Sequence, residues 1–391
     1  MIKATLKRGA ERRVKGGHPW VFSNEIGDCG GDAQPGATVQ VHAADGSYIG
    51  TGYYNPHSLI AIRILSRRKE NIDDPEFYRA RLLRALHHRH AVYPGWETFR
   101  AVYGEGDFLP GLVVDKYGDL LSIQFLTLGM DTRQDLVLPA LIDIFNPKGI
   151  LARNDTGVRS LEGLPEQVEV LYGHVPERVL IEEHGLRFTA DLVSGQKTGH
   201  FLDQKENHLL LERISNGKDV LDCFCYSGGW GIHAAAFGAA SVRFMDSSER
   251  ALGLARENAG INGLAERTIF DAGDAFERLR SLKSEGQRFD IIILDPPAFV
   301  KRKKALKEAT KGYLTINRRG MELLREGGYL VTCSCSYHMN RELFRETLEN
   351  AARQAGREMR LVSTMSQAPD HPVLLSVPET EYLKCFLLQA V

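Results

Sequence analysis

Between residues 219 and 336 the chain repeats one pattern, in which a short apolar run ends in a polar residue. Stretches with helical periodicity separate these runs. The residues at or just past the ends of the runs are Asp222, Asp246, Asp274, Asp295 and Cys335. An alternation of this kind predicts an α/β fold, with a parallel sheet that carries helices on its faces. Because parallel strands bring their carboxyl ends to one edge, the sequence predicts a Rossmann-like doubly wound domain with these residues at its ligand-binding edge.

The rest of the chain divides into two further parts. Residues 1–72 carry short β-rich runs with turns such as Asp45-Gly46, which predicts a small β-rich domain. Residues 73–190 read as a linker helix followed by a central α/β domain, with a hairpin around His184-Gly185. Strict strand-helix alternation then sets the third domain at 191–391.

The linker helix has a clear start, with Asp73 or Asp74 as N-cap and Pro75 at the first helical position. Its apolar face is predicted to consist of Phe77, Leu82, Leu83 and Leu86. Its basic side is predicted to consist of Arg79, Arg81, Arg84, His87, His88, Arg89 and His90.

Composition excludes several classes of protein. The net charge is −1 over 391 residues, and six cysteines are too few for a disulfide scaffold. No apolar h-region or long apolar stretch is present, so we expect a cytoplasmic protein that does not enter a membrane. Residues 1–100 are different, because fifteen Lys/Arg against ten Asp/Glu give about +5 there. A basic module of this kind is compatible with binding to a phosphate backbone as well as with a solvated surface.

A glycine turn follows the first strand of the third domain. Its spacing matches neither the dinucleotide-binding pattern nor a P-loop, but its glycines let a ligand approach the backbone closely. Asp222 is placed to meet an amine, Asp246 a ribose diol and Asp274 an adenine amino group. Carboxylates would repel a pyrophosphate and suit S-adenosyl-L-methionine, although an NAD-type site stays open from the residues alone. The predicted cofactor-binding residues are Asp222, Phe224, Tyr226, Ser227, Gly228, Gly229, Gly231, Asp246, Ser247, Asp274 and Asp295.

The central apolar strand closes with Asp295-Pro296-Pro297, and proline cannot continue the ladder, so the chain turns out over the sheet edge. Asp295 can then hold the polar edge of a nucleobase, and Phe299 can stack on it. The alternative is a simple strand-terminating turn. The predicted substrate or RNA contacts are Lys197, Phe201, Pro296, Pro297, Phe299, Lys301, Lys303 and Lys304.

Cys335 lies just past a strand end, where its side chain would face the ligand crevice. A thiolate is the nucleophile needed at C6 of a pyrimidine, and its attack makes C5 able to accept a methyl group. Cys333 and Cys385 fit buried structural positions better. The pairs Cys223-x-Cys225 and Cys333-x-Cys335 resemble metal ligands, but the strand that ends at Asp295 should separate them, so no metal site is predicted.

Taken together, several motifs resemble one family, the RlmI-type large-subunit rRNA cytosine-C5 methyltransferases. They are Gly17-His18-Pro19-Trp20-Val21-Phe22-Ser23, Leu109 to Asp115, Glu182 to Gly185, Gly195 to Gln204, Asp295 to Phe299 and Ser334-Cys335-Ser336. The resemblance implies an N-terminal PUA domain, a central α/β domain and a methyltransferase domain, with AdoMet as donor and cytosine in 23S rRNA as acceptor. It also implies Cys335 as nucleophile, and Asp222 to Gly231, Asp246, Asp274 and Asp295 match the cofactor motifs of the family. Our leading hypothesis makes Asp295 the second catalytic residue, which orients the base by its polar edge.

Other functions stay open at this point. Asp-Pro-Pro also resembles the motif of N-methylating enzymes, so an rRNA purine N-methyltransferase is the nearest alternative. An RNA-binding ribosome assembly factor that keeps AdoMet as a structural ligand, and a small-molecule methyltransferase, are further ones. The sequence also leaves a homodimer open.

Overall fold

The computed structural model describes residues 2–31, 33–299 and 306–391. Contacts divide the chain into two compact units. The first unit contains Met1–Ile181, Ala190–His200 and Pro369–Thr380, and the second contains Glu182–Thr189, Phe201–Ala368 and Glu381–Val391. The predicted boundaries at 72 and 190 stay predictions, because each unit gathers segments from more than one of the predicted ranges.

A six-stranded sheet in the order β2-β6-β5-β4-β1-β3 opens the first unit. Its strands are β1 (Ile2–Leu6), β2 (Trp20–Val21), β3 (Ile26–Cys29), β4 (Thr38–His42), β5 (Tyr48–Tyr54) and β6 (Ile62–Ser66), with helix α1 (Glu11–Lys15) between β1 and β2. Burial alternates along β4, where Val39 and Val41 enter the core, as a half-buried strand requires. The turn into β5 is fixed by Asp45, whose carboxylate accepts the N–H of Ser47 at 2.9 Å. The β-rich start predicted for the chain is confirmed.

A second sheet of the first unit has five strands in the order β11-β10-β9-β8-β7. Its strands are β7 (Thr98–Tyr103), β8 (Leu112–Tyr117), β9 (Leu120–Phe125), β10 (Gly149–Arg153) and β11 (Val168–Gly173). The helices of this part are α2 (Pro75–Val92), α3 (Leu128–Asp131) and α4 (Gln134–Phe145). A common core joins α2 and α4 to the sheet.

Helix α2 starts where the sequence predicts it, since the Asp74 side chain accepts a backbone N–H of the first turn at 2.9 Å. Two predictions about its faces are wrong. Leu83, expected on the apolar face, is 39% exposed. Arg89, expected on the basic side, is fully buried, and its Nη2 donates to Oδ2 of Asp107 at 2.6 Å.

Helical spacing explains both corrections. The buried stripe of α2 runs through Leu82, Ala85 and Arg89, at intervals of three and four residues. Leu83 lies one residue off this stripe and therefore turns outward. Arg89 lies on the stripe, and its ion pair with Asp107 compensates the burial of its charge.

The predicted hairpin forms from β12 (Arg178–Glu183) and β13 (Leu186–Asp191). His184 has φ 49° and Gly185 has φ 77°. Two consecutive left-handed residues match the turn that two-residue hairpins prefer, because its twist agrees with that of the strands.

The second unit is built on a seven-stranded sheet in the order β16-β15-β14-β17-β18-β20-β19. Its strands are β14 (Asp219–Cys223), β15 (Ser241–Asp246), β16 (Thr268–Ala272), β17 (Phe289–Leu294), β18 (Leu324–Ser334), β19 (Met359–Met365) and β20 (Lys384–Ala390). Its helices are α5 (Lys205–His208), α6 (Gly229–Ala236), α7 (Glu249–Ile261), α8 (Ala275–Ser284), α9 (Leu306–Leu323) and α10 (Arg341–Ala355). The α/β, Rossmann-like fold class is confirmed.

The order of strands in this sheet places its ligand crevice. Strands β14 to β18 pair in parallel, and β20 pairs antiparallel with both β18 and β19. The order reverses direction between β14 and β17, and such a switch point opens a crevice at the carboxyl ends of the strands. None of the helices in the described part of the chain combines the length and apolar character that a bilayer crossing requires.

Candidate active site

The carboxylate at the end of β14 is buried with half of its hydrogen-bonding capacity unused. Asp222 is fully buried, and its Oδ2 accepts the N–H of Gly231 at 2.9 Å. Its Oδ1 has no hydrogen-bond donor among the described residues. Burial raises the pKa of Asp222 well above its usual value, and the nearby charges of Asp295 and Asp246 add to this. A buried, underused carboxylate of this kind fits a ligand that brings an ammonium group.

The turn after β14 is strained and closely packed. Phe224 and Tyr226 have φ values of 61° and 48°, in the left-handed region that non-glycine residues rarely adopt. A Cβ at Gly231 would lie 2.7 Å from Cζ of Phe244 and 3.0 Å from Oδ2 of Asp222. Only glycine therefore lets α6 approach the strand closely enough for its N–H to reach Asp222. The neighbouring turn residues Ser227 and Gly228 are buried and Gly229 is half-buried.

At the end of β15, Asp246 links the glycine turn to the next helix. Its Oδ2 accepts the N–H of Tyr226 at 3.0 Å and its Oδ1 accepts the N–H of Ser248 at 2.9 Å. Each oxygen keeps acceptor capacity, so the carboxylate can still bind a diol. Ser247 is exposed, and Ser248 rather than Ser247 caps α7.

Asp274 follows β16 and is exposed. Its Oδ1 accepts the N–H of Glu277 at 3.1 Å, so the side chain caps α8. A helix cap accounts for this aspartate locally, and its predicted contact with adenine stays a prediction.

Two donors hold the carboxylate that follows β17. Nε2 of Gln204 donates to Oδ2 of Asp295 at 2.8 Å, and Nε1 of Trp230 donates to the same oxygen at 3.1 Å. Gln204 is itself fixed, since its Oε1 accepts Nδ2 of Asn207 at 2.6 Å. Gln204 and Trp230 are not among the predicted site residues.

Cys335 follows β18, the strand that pairs in parallel with β17. It is half-buried, whereas Cys333 and Cys385 are fully buried, as the sequence predicts for those two. The sheet order puts β17 between β14 and β18, which separates Cys223 and Cys225 from Cys333 and Cys335 as predicted.

A buried lysine lies next to Cys335. Lys384 faces Ser334 across the β18–β20 pair, and its Nζ donates to the carbonyl oxygens of Ser336 at 2.8 Å and Tyr382 at 2.7 Å. Burial lowers the pKa of Lys384 to about 8, while its interaction with Cys335 acts in the opposite direction. The ammonium group of Lys384 therefore interacts electrostatically with the Cys335 thiol. No local sequence pattern predicts this interaction.

Aromatic side chains pack beside the segment that carries Cys335. The hydroxyl of Tyr313 lies 2.9 Å from Oγ of Ser336 and accepts Oγ of Ser334 at 3.1 Å. Phe299, predicted to stack on a base, packs on Tyr313 with ring centroids 4.7 Å apart. Of the two prolines after Asp295, Pro296 is buried and Pro297 is exposed.

The remaining predicted RNA contacts fall in both units or outside the described residues. Phe201 packs edge-on against Tyr226, with ring centroids 5.2 Å apart. Lys197 belongs to the first unit and is exposed, with φ 53°. The predicted contacts Lys301, Lys303 and Lys304 lie outside the described residues.

A buried cluster of Glu183, His208 and His233 lies behind the glycine turn, and the sequence does not predict it. Nδ1 of His208 lies 2.6 Å from Oε1 of Glu183, and Nδ1 of His233 donates to the Gly229 carbonyl at 2.8 Å. Burial first, and then the neighbouring His208, lower the pKa of His233 to about 3. His208 also packs on Trp230, with ring centroids 4.8 Å apart.

Glu183, His208 and His233 come from distant parts of the sequence, so no sequence spacing reveals the cluster. Their potential metal-ligand atoms lie within 4.8 Å of one another, as a metal site would require. The contact of 2.6 Å between His208 and Glu183 has the length of a charge-assisted hydrogen bond, however. The cluster therefore reads as a support for the turn and for Trp230.

Family models match both ends of this architecture. A PUA-like domain matches residues 4–67, and an S-adenosylmethionine-dependent methyltransferase matches residues 164–388. The ribosomal RNA large subunit methyltransferase I of Shewanella denitrificans is 41% identical over 388 residues, 98% of each chain. The same-named protein of Shewanella frigidimarina is 40% identical over 388 residues, again 98% of each chain.

Solved structures agree on the fold. A candidate SAM-dependent methyltransferase from Streptococcus mutans superposes with a TM-score of 0.86 over 100% of both chains, at 23% identity. The structure of SMU.776 complexed with SAH gives a TM-score of 0.88, also over 100% of both chains and at 23% identity. The residues at the crevice fit such a cofactor, because Asp222 offers an unused oxygen to an amine. Both oxygens of Asp246 accept one backbone N–H and keep further acceptor capacity for a diol. The cofactor and the family inferred from the sequence are thereby confirmed, and the chain belongs to the S-adenosylmethionine-dependent methyltransferases of the ribosomal RNA large subunit methyltransferase I family.

Proposed function

We propose that this enzyme methylates C5 of a cytosine in large-subunit rRNA, through a covalent bond between Sγ of Cys335 and C6 of the base. The curated relatives that match over nearly the full chain carry the name of a large-subunit rRNA methyltransferase, which supports the substrate class. The observation that carries the chemistry is a half-buried thiol, Cys335, directly after the strand beside that of Asp295.

The first residue of the proposed mechanism is Cys335. Its thiolate attacks C6, and the electron pair of the C5–C6 double bond makes C5 nucleophilic. When bound, S-adenosylmethionine supplies the methyl group as an electrophile on its sulfonium. A proton acceptor then takes the C5 proton, the Sγ–C6 bond breaks, and the C5–C6 double bond and the thiolate form again. One hydrogen of the cytosine ring is thus replaced by a methyl group, and one proton is released.

Lys384 supports this chemistry from within the sheet. A thiol with an ordinary pKa of about 8.5 is mostly protonated at neutral pH. The ammonium of Lys384, anchored on the carbonyl oxygen of Ser336, stabilises the thiolate of Cys335 electrostatically. It acts through the thiol and is therefore a positioning residue.

Asp295 is proposed to orient the base. Gln204 and Trp230 both donate to its Oδ2, which fixes the plane of the carboxylate. A fixed carboxylate can accept the exocyclic amino group of cytosine without first being ordered. The target base has to be unstacked to reach this position, because its C5 and C6 are covered within a helix.

A trapping experiment tests the proposal. Large-subunit rRNA fragments containing 5-fluorocytidine should form a covalent complex with the wild-type protein when AdoMet is present, because fluorine at C5 cannot leave as a proton. Cys335→Ala should lose both the adduct and methyl transfer. Cys29→Ala is the matched control, since Cys29 is also half-buried but lies in the first unit, and this variant should keep both.

The competing functions predict other outcomes. A purine N-methyltransferase would keep much of its activity in Cys335→Ala and would place the methyl on guanine or adenine. A ribosome assembly factor would bind AdoMet and transfer no methyl group to any rRNA. Mass-spectrometric mapping of modified bases in rRNA from cells lacking the protein separates the three.

A further inference from the structure

A cavity of about 300 Å³ lies within the first unit, and none of the residues of the proposed mechanism lines it. Its lining includes Trp20, Arg63, Tyr103, Glu105, Glu379 and Thr380. We propose that this cavity binds one unpaired guanine base of the RNA substrate. The inference rests on the proposed action on rRNA, and it assigns a recognition site separate from the site of methyl transfer.

The motif Gly17-His18-Pro19-Trp20, which the proposed chemistry does not use, builds this cavity. Nδ1 of His18 accepts the backbone N–H of Trp20 at 3.2 Å, so Nε2 carries the proton and donates to Oε2 of Glu379 at 3.1 Å. Burial lowers the pKa of His18, which agrees with a neutral ring. Nε1 of Trp20 donates to Oε1 of Glu105 at 2.8 Å. One short motif therefore orders two carboxylates.

Each of these carboxylates has an oxygen to spare. Of the four oxygens of these two carboxylates, only Oε1 of Glu105 and Oε2 of Glu379 form hydrogen bonds to described residues. Arg63 also lines the cavity, but its Nη1 donates to Oε1 of Glu162 at 2.9 Å, so its charge is already balanced. The cavity consequently presents acceptors in need of donors, and it would repel a phosphate group.

Two aromatic side chains make the cavity suitable for a flat ligand. Tyr103 is held by its hydroxyl, which donates to the carbonyl of Thr380 at 3.0 Å, and Trp20 is held through Glu105. Unstacked RNA bases are commonly bound by aromatic stacking combined with hydrogen bonds to their edges. The volume is at the lower end of the range of about 300–1,000 Å³ for ligand pockets, which suits a single base.

Among the four bases, guanine matches the acceptors best. Its N1–H and N2 amino group are adjacent donors. One carboxylate can accept both, because the oxygen that already accepts from Trp20 or His18 keeps a second lone pair. Adenine and cytosine offer one amino group each, and uracil offers one imino group. A good bidentate contact discriminates by about 5- to 160-fold in affinity (about 1–3 kcal/mol), and tenfold lies in the lower part of this range.

The test measures equilibrium binding of the full-length protein to the single-stranded RNAs UUGUU and UUAUU. We expect the guanine-containing RNA to bind about tenfold more tightly. Glu105→Gln and Glu379→Gln should each weaken binding of UUGUU and leave UUAUU unchanged or tighter, because removing a negative charge favours any polyanion. Glu70→Gln removes an exposed carboxylate of the same unit and should leave the preference for guanine intact.

Equal affinity for the two RNAs, or loss of both in parallel, would overturn the assignment. A competition experiment with an arginine amide tests the assignment further. If the guanidinium compound displaces UUGUU and leaves UUAUU bound, the cavity is a site for an arginine side chain and the guanine assignment is wrong. Cys335→Ala should keep the guanine preference. If the preference is absent while Cys335-dependent methylation occurs, the guanine site alone is wrong, and if methylation also fails, the proposed function is wrong.

Discussion

Replacing Gly231 with alanine should destabilise the second unit, although alanine is the better helix former. The added Cβ would lie 2.7 Å from Cζ of Phe244, whereas nonbonded carbons prefer about 3.5–4.0 Å. Phe244 is fully buried and stacks on Phe270 with ring centroids 5.2 Å apart, so it has no free space to move into. Overpacking costs about 1–3 kcal/mol, and a contact this short belongs to the upper part of that range, about 2–3 kcal/mol. Helix propensity returns at most about 1 kcal/mol, which leaves a net loss of about 1–2 kcal/mol.

A second glycine in the same unit serves as the control. Gly253 lies inside α7, and a Cβ there would meet no atom within 4 Å. Gly253→Ala should therefore stabilise the protein by about 0.5–1 kcal/mol through helix propensity alone. The same substitution is thus expected to change stability in opposite directions at the two sites.

Thermal unfolding followed by circular dichroism measures the difference. For a unit of this size, one kcal/mol corresponds to about 2–4 °C in the unfolding midpoint, so Gly231→Ala should lower the midpoint by about 2–8 °C. AdoMet affinity should fall as well, because the N–H of Gly231 helps to fix Asp222. A Gly231→Ala protein that unfolds at or above the wild-type temperature would refute the packing argument for the glycine turn.

Two further predictions concern ionisable groups. Lys384→Met should slow alkylation of Cys335 by iodoacetamide at neutral pH and move the alkylation profile to higher pH, and Lys384→Arg should largely restore it. An unchanged profile in the methionine variant would exclude the electrostatic role of Lys384. Because the pKa of Asp222 is raised in the folded state, its contribution to stability is lost as pH rises from the unfolded value of about 3.9 towards the folded one. Without AdoMet, the Asp222→Asn variant should therefore unfold at a higher temperature than the wild type at neutral pH, and this difference in unfolding temperature should vanish near pH 4. The variant should also bind AdoMet more weakly. A difference in unfolding temperature that does not depend on pH would contradict the argument.

Local patterns were sufficient for most of the second unit. The apolar run between turn residues predicts a strand at 220–224 from local pattern alone, and Asp219–Cys223 is observed. Local pattern also predicts a strand at 329–333, after a helix that ends near Gly327-Gly328. The observed strand, Leu324–Ser334, is longer and runs through these glycines. Pairing with β17, with a register shift between Phe289 and Ile291, overrides that local signal.

Contacts between distant segments could not be predicted. Gln204 and Trp230 converge on Asp295 from positions 91 and 65 residues away in sequence. Lys384 lies beside the segment that carries Cys335 only because β20 inserts beside β18. A lysine near a strand start carries no sign that its ammonium will be buried beside a thiol.

The segment Asp370-His371-Pro372 is a similar case. Its role is visible only in three dimensions, where the Asp370 carboxylate accepts the backbone N–H of Arg100 at 2.9 Å and its carbonyl oxygen accepts Nη2 of Arg89 at 2.7 Å. The segment lies within Pro369–Thr380, which belongs to the first unit, although the chain before and after this range belongs to the second.

The position of β20 has a consequence for biosynthesis. This strand is made after β19, yet it lies between β18 and β19 in the sheet. During synthesis on the ribosome, the backbone donors and acceptors at the β18 edge consequently stay unpaired until β20 has been translated. An unpaired edge of this kind can pair with strands of other chains. Nascent chains stalled before Lys384 should therefore aggregate readily, depend on chaperones and be unable to modify RNA.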